Sequence, residues 1–313
     1  MTNLVQFPGL GLSFELDRVA FSIGGMNIYW YGVCIAVGMC LALVFAFRHS
    51  VEFGVDADAM VDVILIGVVM GILCARLYYV ALSPYQYHSL KDVLAIRDGG
   101  LAIYGGIIGA FLFGGLACKW RKVPMLPMFD LAAMGFLIGQ GCGRWGNFFN
   151  REAHGGVTTC FLRMGLVENG ALQYFHPTFL YESVWNLTGF VVLHFLSKKR
   201  KFDGQMFLAY LAWYGAGRMV IEGLRTDSLW LGPVRVSQLL AAVTMLLSLG
   251  ILLYQAIFVR HDPAKMQVNR VAAAEAAKAA EAQPEETAEP EDAASEPEDE
   301  VSEETESSEE SKE

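Results

Sequence analysis

The sequence predicts an all-α, polytopic membrane protein of about seven transmembrane helices, with the N-terminus outside and the C-terminus inside. Hydrophobic residues make up 54% of the chain, above the roughly 45–50% that is usual in soluble domains. Several apolar runs approach the roughly 20 residues that a helix needs to cross a hydrocarbon core of about 30 Å. Clusters of basic residues also recur between alternate runs. These three observations together favour a membrane protein.

Seven apolar segments are the predicted spans. The third and fourth are short and rich in glycine, which allows helices to approach one another closely, so we expect them inside the bundle. The segments are residues 27–47, 60–82, 101–118, 127–142, 178–196, 204–222 and 236–258.

Two basic clusters predict the orientation. Residues 119–122 follow the third span and residues 198–201 follow the fifth, and both contain several Lys and Arg. Basic residues in short loops are retained on the cytoplasmic side, which is also the side of the C-terminus after seven spans. The longest loop on the opposite side, residues 143–177, is therefore predicted to be extracytoplasmic.

The C-terminal region differs from the rest in charge. Residues 261–313 contain 4 Lys/Arg and 18 Asp/Glu, so residues 1–260 have a net charge of +4 although the whole chain has −10. A segment this polar and charged cannot build a core. We expect residues 1–260 to form the membrane-embedded catalytic domain and residues 261–313 to be an acidic, disordered cytoplasmic tail, with a short Ala-rich helix at about Val271–Ala282.

The six cysteines indicate neither disulfides nor a metal. They form no CxxC pair and lie mostly in apolar runs, whereas structural zinc sites place cysteines at short, regular spacings. We read them as small core residues and expect no bound metal.

The strongest functional signal is the run from Gly143 to Gly155. It contains Arg144, Asn147, Asn150 and Glu152 among glycines and aromatic residues. Guanidinium and carboxamide groups can hold phosphate and glycerol oxygens, and Arg matches phosphate with two parallel donors. The alternative is an interfacial anchor rich in Arg and Trp, but two Asn, an Arg and a Glu exceed what anchoring requires.

A second signal lies on the sixth span. Tyr214, Arg218, Glu222 and Arg225 are spaced to share one helical face. A charge in a membrane span costs about 2.5–3.5 kcal/mol on insertion scales and usually marks a functional cavity. The alternative is a structural Arg-Glu-Arg bridge, and the two interpretations are compatible.

Two further motifs begin spans one and three. Tyr31 lies in a Trp-Tyr-Gly motif, and Tyr104 follows the Asp-Gly-Gly of residues 98–100, while Arg76 lies within span two. A single intramembrane Tyr is more often a packing residue than a catalyst.

The last motif, residues 176–182, begins span five. Here His176 and the following proline are typical of a turn into a helix, and Tyr181 and Glu182 follow. A carboxylate in an apolar run needs a cationic partner, and Arg76, Arg144 and Arg218 are the candidates.

Together these motifs resemble the prolipoprotein diacylglyceryl transferase family of bacterial inner-membrane enzymes. The resemblance covers most of residues 15–258, and besides the signature run from Gly143 to Gly155 four motifs occur in the order that the family has. The matches to the family signature are Gly143, Arg144, Gly146, Asn147, Phe148, Asn150, Glu152 and Gly155, and the other motifs are residues 30–32, 98–100, 176–182 and 214–225.

The resemblance implies an activity. An sn-1,2-diacylglyceryl group would pass from phosphatidylglycerol to the lipobox cysteine of a prolipoprotein, forming a thioether and releasing glycerol 1-phosphate, without metal, soluble cofactor or nucleic acid. It implies catalytic roles for Arg144, Arg218 and Tyr104. The implied lipid-binding residues include both arginines together with Tyr31, Asn147, Asn150, Glu152, Gly155 and Tyr214. The implied supporting residues are Arg76, His176, Tyr181, Glu182, Glu222 and Arg225.

One position departs from the family. Many members have His-Gly-Gly where this chain has Tyr104-Gly105-Gly106, and that His has been considered a general base. A Tyr, with a reference pKa near 10, is a poor base at neutral pH. Either Tyr104 orients the substrate or the proton leaves by another route, for which Glu152 and the lipid phosphate are candidates.

Two other classes of protein also place arginines in a membrane. A transporter or binder of an anionic lipid or solute would contain repeated halves or paired broken helices, and the sequence has no convincing repeat. A receptor or structural protein would use the polar groups for packing, which does not explain two separate Arg motifs at one membrane face.

Overall fold

The computed structural model describes residues 3–83, 85, 87, 89–96, 99–168, 170–226 and 230–281. They are mostly helical. A first compact unit ends at Ala274, and it contains every element discussed below apart from the last residues of the final helix. A second unit begins at Glu275, and its described residues, 275–281, are helical.

In the part of the chain that the structure describes, seven long helices occupy the predicted spans. Six are long and apolar enough to cross a membrane, which confirms a polytopic architecture; the count of seven remains a prediction, because α7, which carries Arg218 and Glu222, is not among the six. The helices are α1 (Trp30–His49), α2 (Ala57–Leu82), α3 (Leu90–Val93), α4 (Ile103–Trp120), α5 (Met125–Asn150), α6 (Thr178–Ser197), α7 (Gln205–Glu222), α8 (Val236–Phe258) and α9 (Gln267–Glu281).

Glycines let the helices approach closely, as the composition of the third and fourth spans predicts. A β-carbon on Gly105 of α4 would lie 2.5 Å from the Cys74 carbonyl oxygen of α2, and one on Gly38 of α1 would lie 3.2 Å from the Gly139 α-carbon of α5. Any larger residue at either position would separate the paired helices.

One end of the bundle is tied together by polar contacts between loops. Both carboxylate oxygens of the buried Asp130 on α5 accept backbone N–H groups at the start of α7, from Gly204 at 2.7 Å and Phe207 at 2.8 Å. Arg200 donates to the Glu52 carbonyl oxygen in the α1–α2 connection. The two basic clusters also lie in connections at this end, so the functional motifs lie at the other.

The opposite end carries a small antiparallel sheet that the sequence did not predict. Its strand order is β2–β1–β5–β6, and Val5 and Phe7 of β1 pack with Phe148, Phe175 and Phe179. Two further hairpins are β3–β4 and β7–β8. The strands are β1 (Leu4–Phe7), β2 (Leu12–Glu15), β3 (Val19–Ile23), β4 (Met26–Tyr29), β5 (Met164–Glu168), β6 (Ala171–Phe175), β7 (Trp230–Leu231) and β8 (Val234–Arg235).

Two predicted boundaries differ from the structure. The segment 143–177 is not all loop, because residues 143–150 complete α5 and part of the remainder forms β5 and β6. The chain beyond 260 also continues in ordered contact: Met266 is buried, and the Gln267 N–H donates to Asp203 at 2.9 Å. The predicted Ala-rich helix is present as α9, and residues 282–313 lie outside the described residues.

Candidate active site

The site is centred on Glu182, in the second turn of α6. Its carboxylate is only 4% exposed and contacts three arginines: Arg144 at 2.5 Å, Arg218 at 3.1 Å and Arg225 at 3.4 Å. They come from α5, α7 and the segment after α7. The expectation that Glu182 pairs with an arginine is therefore met by two of the three candidates, and Arg225 joins them.

Arg218 bridges two carboxylates. One terminal nitrogen contacts Glu182, and the other lies 2.6 Å from Glu222, one turn further along α7. The Glu222 carboxylate is 2% exposed, and its backbone carbonyl accepts a hydrogen bond from Arg235, the last residue of β8. Arg218 and Glu222 thus lie on α7 as predicted, and Glu222 is buried, whereas Arg225 lies beyond the end of α7 and does not share the predicted helical face.

Arg144 begins a second chain of contacts along the end of α5. It donates to the Asn147 side-chain oxygen at 3.3 Å. The amide groups of Asn147 and Asn150 both donate to one oxygen of Glu152, at 3.2 Å and 3.0 Å. Arg151 ends the helix in the left-handed conformation, with φ of 56°, and this turns Glu152 back towards the two amides.

Tyr31 lies directly against this helix end. A β-carbon on Gly146 would lie 2.6 Å from a Tyr31 ring carbon and 3.1 Å from its α-carbon. Beside it, the rings of Trp30 and Phe149 stack at 4.9 Å. Gly146 therefore sets how closely Tyr31 approaches the turn of α5 that holds Arg144 and Asn147.

Gly155 joins the signature run to two other motifs. Its N–H donates to the His176 carbonyl at 2.9 Å, and the next residue, Gly156, donates to the Leu224 carbonyl at 2.8 Å. Gly155 also forms an isolated β-bridge with Arg225. A β-carbon there would lie 2.7 Å from the His176 β-carbon and 2.9 Å from the Leu224 carbonyl oxygen, so only glycine fits.

His176 and Tyr181 form a separate group with Cys160. The Cys160 sulfur lies 3.9 Å from His176 Nδ1 and 3.7 Å from the Tyr181 hydroxyl, and these two groups are 3.4 Å apart. Cys160 was expected to be a simple core residue. Its spacing of 16 residues from His176 gives no sequence signal, because the two meet only through the fold.

Arg76 does not pair with Glu182. Its buried guanidinium donates to four backbone carbonyls in the segment before α4, those of Asp92, Val93, Gly99 and Gly100, at 2.6–3.1 Å. It therefore shapes the chain that leads to Tyr104. Asp98 of the same motif lies outside the described residues.

Tyr104 and Tyr214 lie on two different helices, α4 and α7. Tyr104 is in the first turn of α4, where Gly105 packs against Cys74 and Tyr78 of α2. The Tyr214 ring lies 5.8 Å from that of Tyr210 on α7, and the Tyr210 hydroxyl accepts from Gln140 at 2.8 Å.

Two contacts that the sequence did not predict hold α6 and α7 in place. The Trp145 indole donates to Ser183, whose hydroxyl donates to the Gly141 carbonyl. Trp185 and Trp213 stack at 4.6 Å, and each donates to the other's backbone carbonyl at 3.0 Å. A tryptophan near the end of a span is also typical of a residue at the membrane interface. This reciprocal pair therefore cannot be recognised from the sequence.

The arrangement can bind an anion. The side chains of Arg144, Arg218 and Arg225 remain 23%, 17% and 10% exposed, so the protein covers most but not all of each arginine. Charged donors held in a partly water-excluded place stabilise anionic oxygens strongly. Among the described residues, no group of three or more His, Cys, Asp or Glu side chains is arranged to hold a metal ion.

Comparisons with known proteins agree with the motifs. The sequence model of the family "Prolipoprotein diacylglyceryl transferase" matches residues 18–254. The chain is 42% identical over 243 residues to the phosphatidylglycerol–prolipoprotein diacylglyceryl transferase of Clostridium novyi, covering 75% of this chain and 94% of that protein. It is 41% identical over 259 residues to the protein of the same name from Staphylococcus aureus, covering 79% and 92%. The chain therefore belongs to the prolipoprotein diacylglyceryl transferase family.

Proposed function

We propose that this protein transfers the sn-1,2-diacylglyceryl group of phosphatidylglycerol to the lipobox cysteine of a prolipoprotein, an early step in bacterial lipoprotein maturation. The observation that carries the proposal is the convergence of Arg144, Arg218 and Arg225 at the ends of membrane helices. The family relationship supplies the reaction, and the arginines supply a place for the lipid phosphate.

The reaction replaces a carbon–oxygen bond with a carbon–sulfur bond. The thiolate, which is the reactive form of cysteine, attacks the glycerol carbon that carries the phosphate. The C–O bond breaks, and its electron pair stays on the phosphate oxygen. A thioether forms, and glycerol 1-phosphate leaves. Negative charge moves from sulfur to phosphate, and guanidinium groups stabilise such developing charge most when water is excluded.

Arg144 and Arg218 are assigned to the phosphate, one from each side. Each has a contact with Glu182 that keeps its guanidinium in position. Asn147, Asn150 and Tyr31 are assigned to the glycerol headgroup because they extend from Arg144 along the end of α5 and the start of α1.

Glu152 is our candidate for receiving the thiol proton. It lies in the same hydrogen-bonded chain as Arg144, through Asn147, whereas Tyr104 lies on the α2–α4 pair. We assign Tyr104 to substrate orientation. The lipid phosphate is the other acceptor within reach of the same arginines.

We place the protein in the bacterial inner membrane, with the arginine end facing outwards and the basic loops facing the cytoplasm. A prolipoprotein presents its lipobox cysteine at the outer face, so this orientation brings the thiol to the arginines.

The proposed function is tested with purified protein, phosphatidylglycerol vesicles and a lipobox peptide. Mass spectrometry should detect the peptide with one added diacylglyceryl group, and glycerol phosphate should appear in equal amount. A peptide with serine in place of the lipobox cysteine is the control. The proposal is wrong if the folded protein yields neither product.

A further inference from the structure

Glu182 occupies the position in which an anionic ligand would be expected. Its carboxylate is the common contact of Arg144, Arg218 and Arg225 and is almost completely buried. Removing two charges from water is costly, and a buried ion pair often adds little stability compared with apolar packing. A structural bridge would also need only one arginine, whereas three meet here.

We propose that Glu182 is an internal counter-ion that makes the site discriminate between the charge of the substrate phosphate and that of the product phosphate. This inference rests on the proposed function. The phosphate of phosphatidylglycerol is a diester with one negative charge. Glycerol 1-phosphate is a monoester with nearly two at neutral pH, because its second pKa is about 6.

The discrimination follows from Coulomb's law. A fixed carboxylate beside the phosphate repels a dianion twice as strongly as a monoanion at the same place. The three arginines alone would favour the dianion and retain the product. With Glu182 among them, that preference is reduced and the product leaves more readily. The charge of Glu182 changes the binding free energy of the dianion more than that of the monoanion. This holds whatever other groups contact the arginines.

The same contacts suit the carboxylate to this role. Each arginine contacts Glu182, and 10–23% of each arginine side chain remains exposed; the proposal requires that a phosphate binds beside Glu182 without displacing it. Arg218 is additionally held by Glu222 at 2.6 Å, which fixes its orientation when the phosphate departs. Glu182 acts through the arginines and is therefore a positioning residue.

The test compares two soluble headgroup analogues as inhibitors of transfer. sn-Glycerol 1-phosphate is the dianionic monoester, and glycerophosphoglycerol is the monoanionic diester. The measured quantity is the ratio of their inhibition constants at pH 8, in the wild-type protein and in Glu182→Gln. Glu168→Gln is the matched control, because it removes one carboxylate from a strand outside the site, where Glu168 contacts His154.

In the wild type, we expect the diester to inhibit at least as well as the monoester. In Glu182→Gln, we expect the monoester to gain about tenfold in inhibition relative to the diester. Glu168→Gln should retain the wild-type ratio of the two inhibition constants. A purely structural role would weaken both inhibitors together and leave the ratio unchanged, which would overturn the inference.

The wild-type measurement keeps the proposal testable if Glu182→Gln does not fold. Monoester binding more than tenfold tighter than diester binding in the native protein would contradict the inference. Either contradiction leaves the proposed function intact as long as the wild type forms product; absence of product would instead refute the function.

Discussion

Replacing Gly146 with alanine should move Tyr31 away from the end of α5. The added β-carbon would lie 2.6 Å from the Tyr31 ring and 3.1 Å from its α-carbon. The ring must retreat by about 0.8 Å to reach an ordinary contact, and the backbone of α1 must also give slightly. Overpacking of this kind costs about 1–3 kcal/mol.

The helix itself benefits from the same change. Alanine in a helix interior is more stable than glycine by about 0.5–1 kcal/mol, so the net loss in the free energy of unfolding should lie between about 0 and 2.5 kcal/mol, with a middle value of about 1 kcal/mol. Each kcal/mol corresponds to about 2–4 °C in Tm for a domain of 150–250 residues. We therefore expect Tm to fall by a few degrees in detergent and the transfer rate to fall with it.

Gly139→Ala is the matched control. Gly139 lies on the same helix, and a β-carbon there would meet no atom within 4 Å, so only the helix-favouring effect remains and Tm should stay level or rise slightly. The cause is tested in a Tyr31→Ala background, where the cost of Gly146→Ala should shrink because the ring is gone. An equal cost in both backgrounds, or equal effects at Gly146 and Gly139, would refute the reasoning.

Three other changes test other parts of the site. Gly155→Ala should abolish transfer, because its β-carbon would lie 2.9 Å from the Leu224 carbonyl oxygen and push apart the segments that meet there; wild-type turnover would contradict the requirement for glycine at this position. Arg218→Lys should reduce kcat/KM at least tenfold, since one ammonium cannot contact two carboxylates and a phosphate as a guanidinium does; near-normal kinetics would argue against that contact. Ending the chain after Arg270 should leave turnover unchanged, whereas ending it after Arg260 should lower Tm, because Met266 is buried; equal Tm values would contradict the docking of residues 261–268.

The helices and the charged motifs could be predicted from the sequence because both leave local signals. Long apolar runs give the spans, and Arg218 and Glu222 are recognisable because a charged pair in a span requires a reason. The direction of each side chain follows from helical periodicity. The prediction that Arg218 and Glu222 share one face of the helix is therefore correct.

The strands and several contacts of the site could not be predicted in this way, because they depend on contacts between distant parts of the chain. The strands β1 and β5 lie about 160 residues apart, so their pairing leaves no local signal in the sequence. The hairpin of β5 and β6 does leave one, because the Asn169-Gly170 pair between the two strands is typical of a two-residue hairpin turn. Arg76 and Arg144 are equivalent candidates for Glu182 by residue type. The fold alone directs Arg76 to backbone carbonyls and brings Cys160 next to His176.

The most direct test of the account measures diacylglyceryl transfer and headgroup binding in protein that lacks one of the two arginines assigned to the phosphate. In Arg144→Ala and Arg218→Ala, thermal unfolding should show folded protein, diacylglyceryl transfer to the lipobox peptide should be abolished, and the binding of glycerophosphoglycerol that calorimetry detects with the wild type should be lost. Glu168→Gln should behave as the wild type. If both arginine variants still transfer the diacylglyceryl group at the wild-type rate, the arginines around Glu182 do not bind the lipid phosphate and the account is wrong.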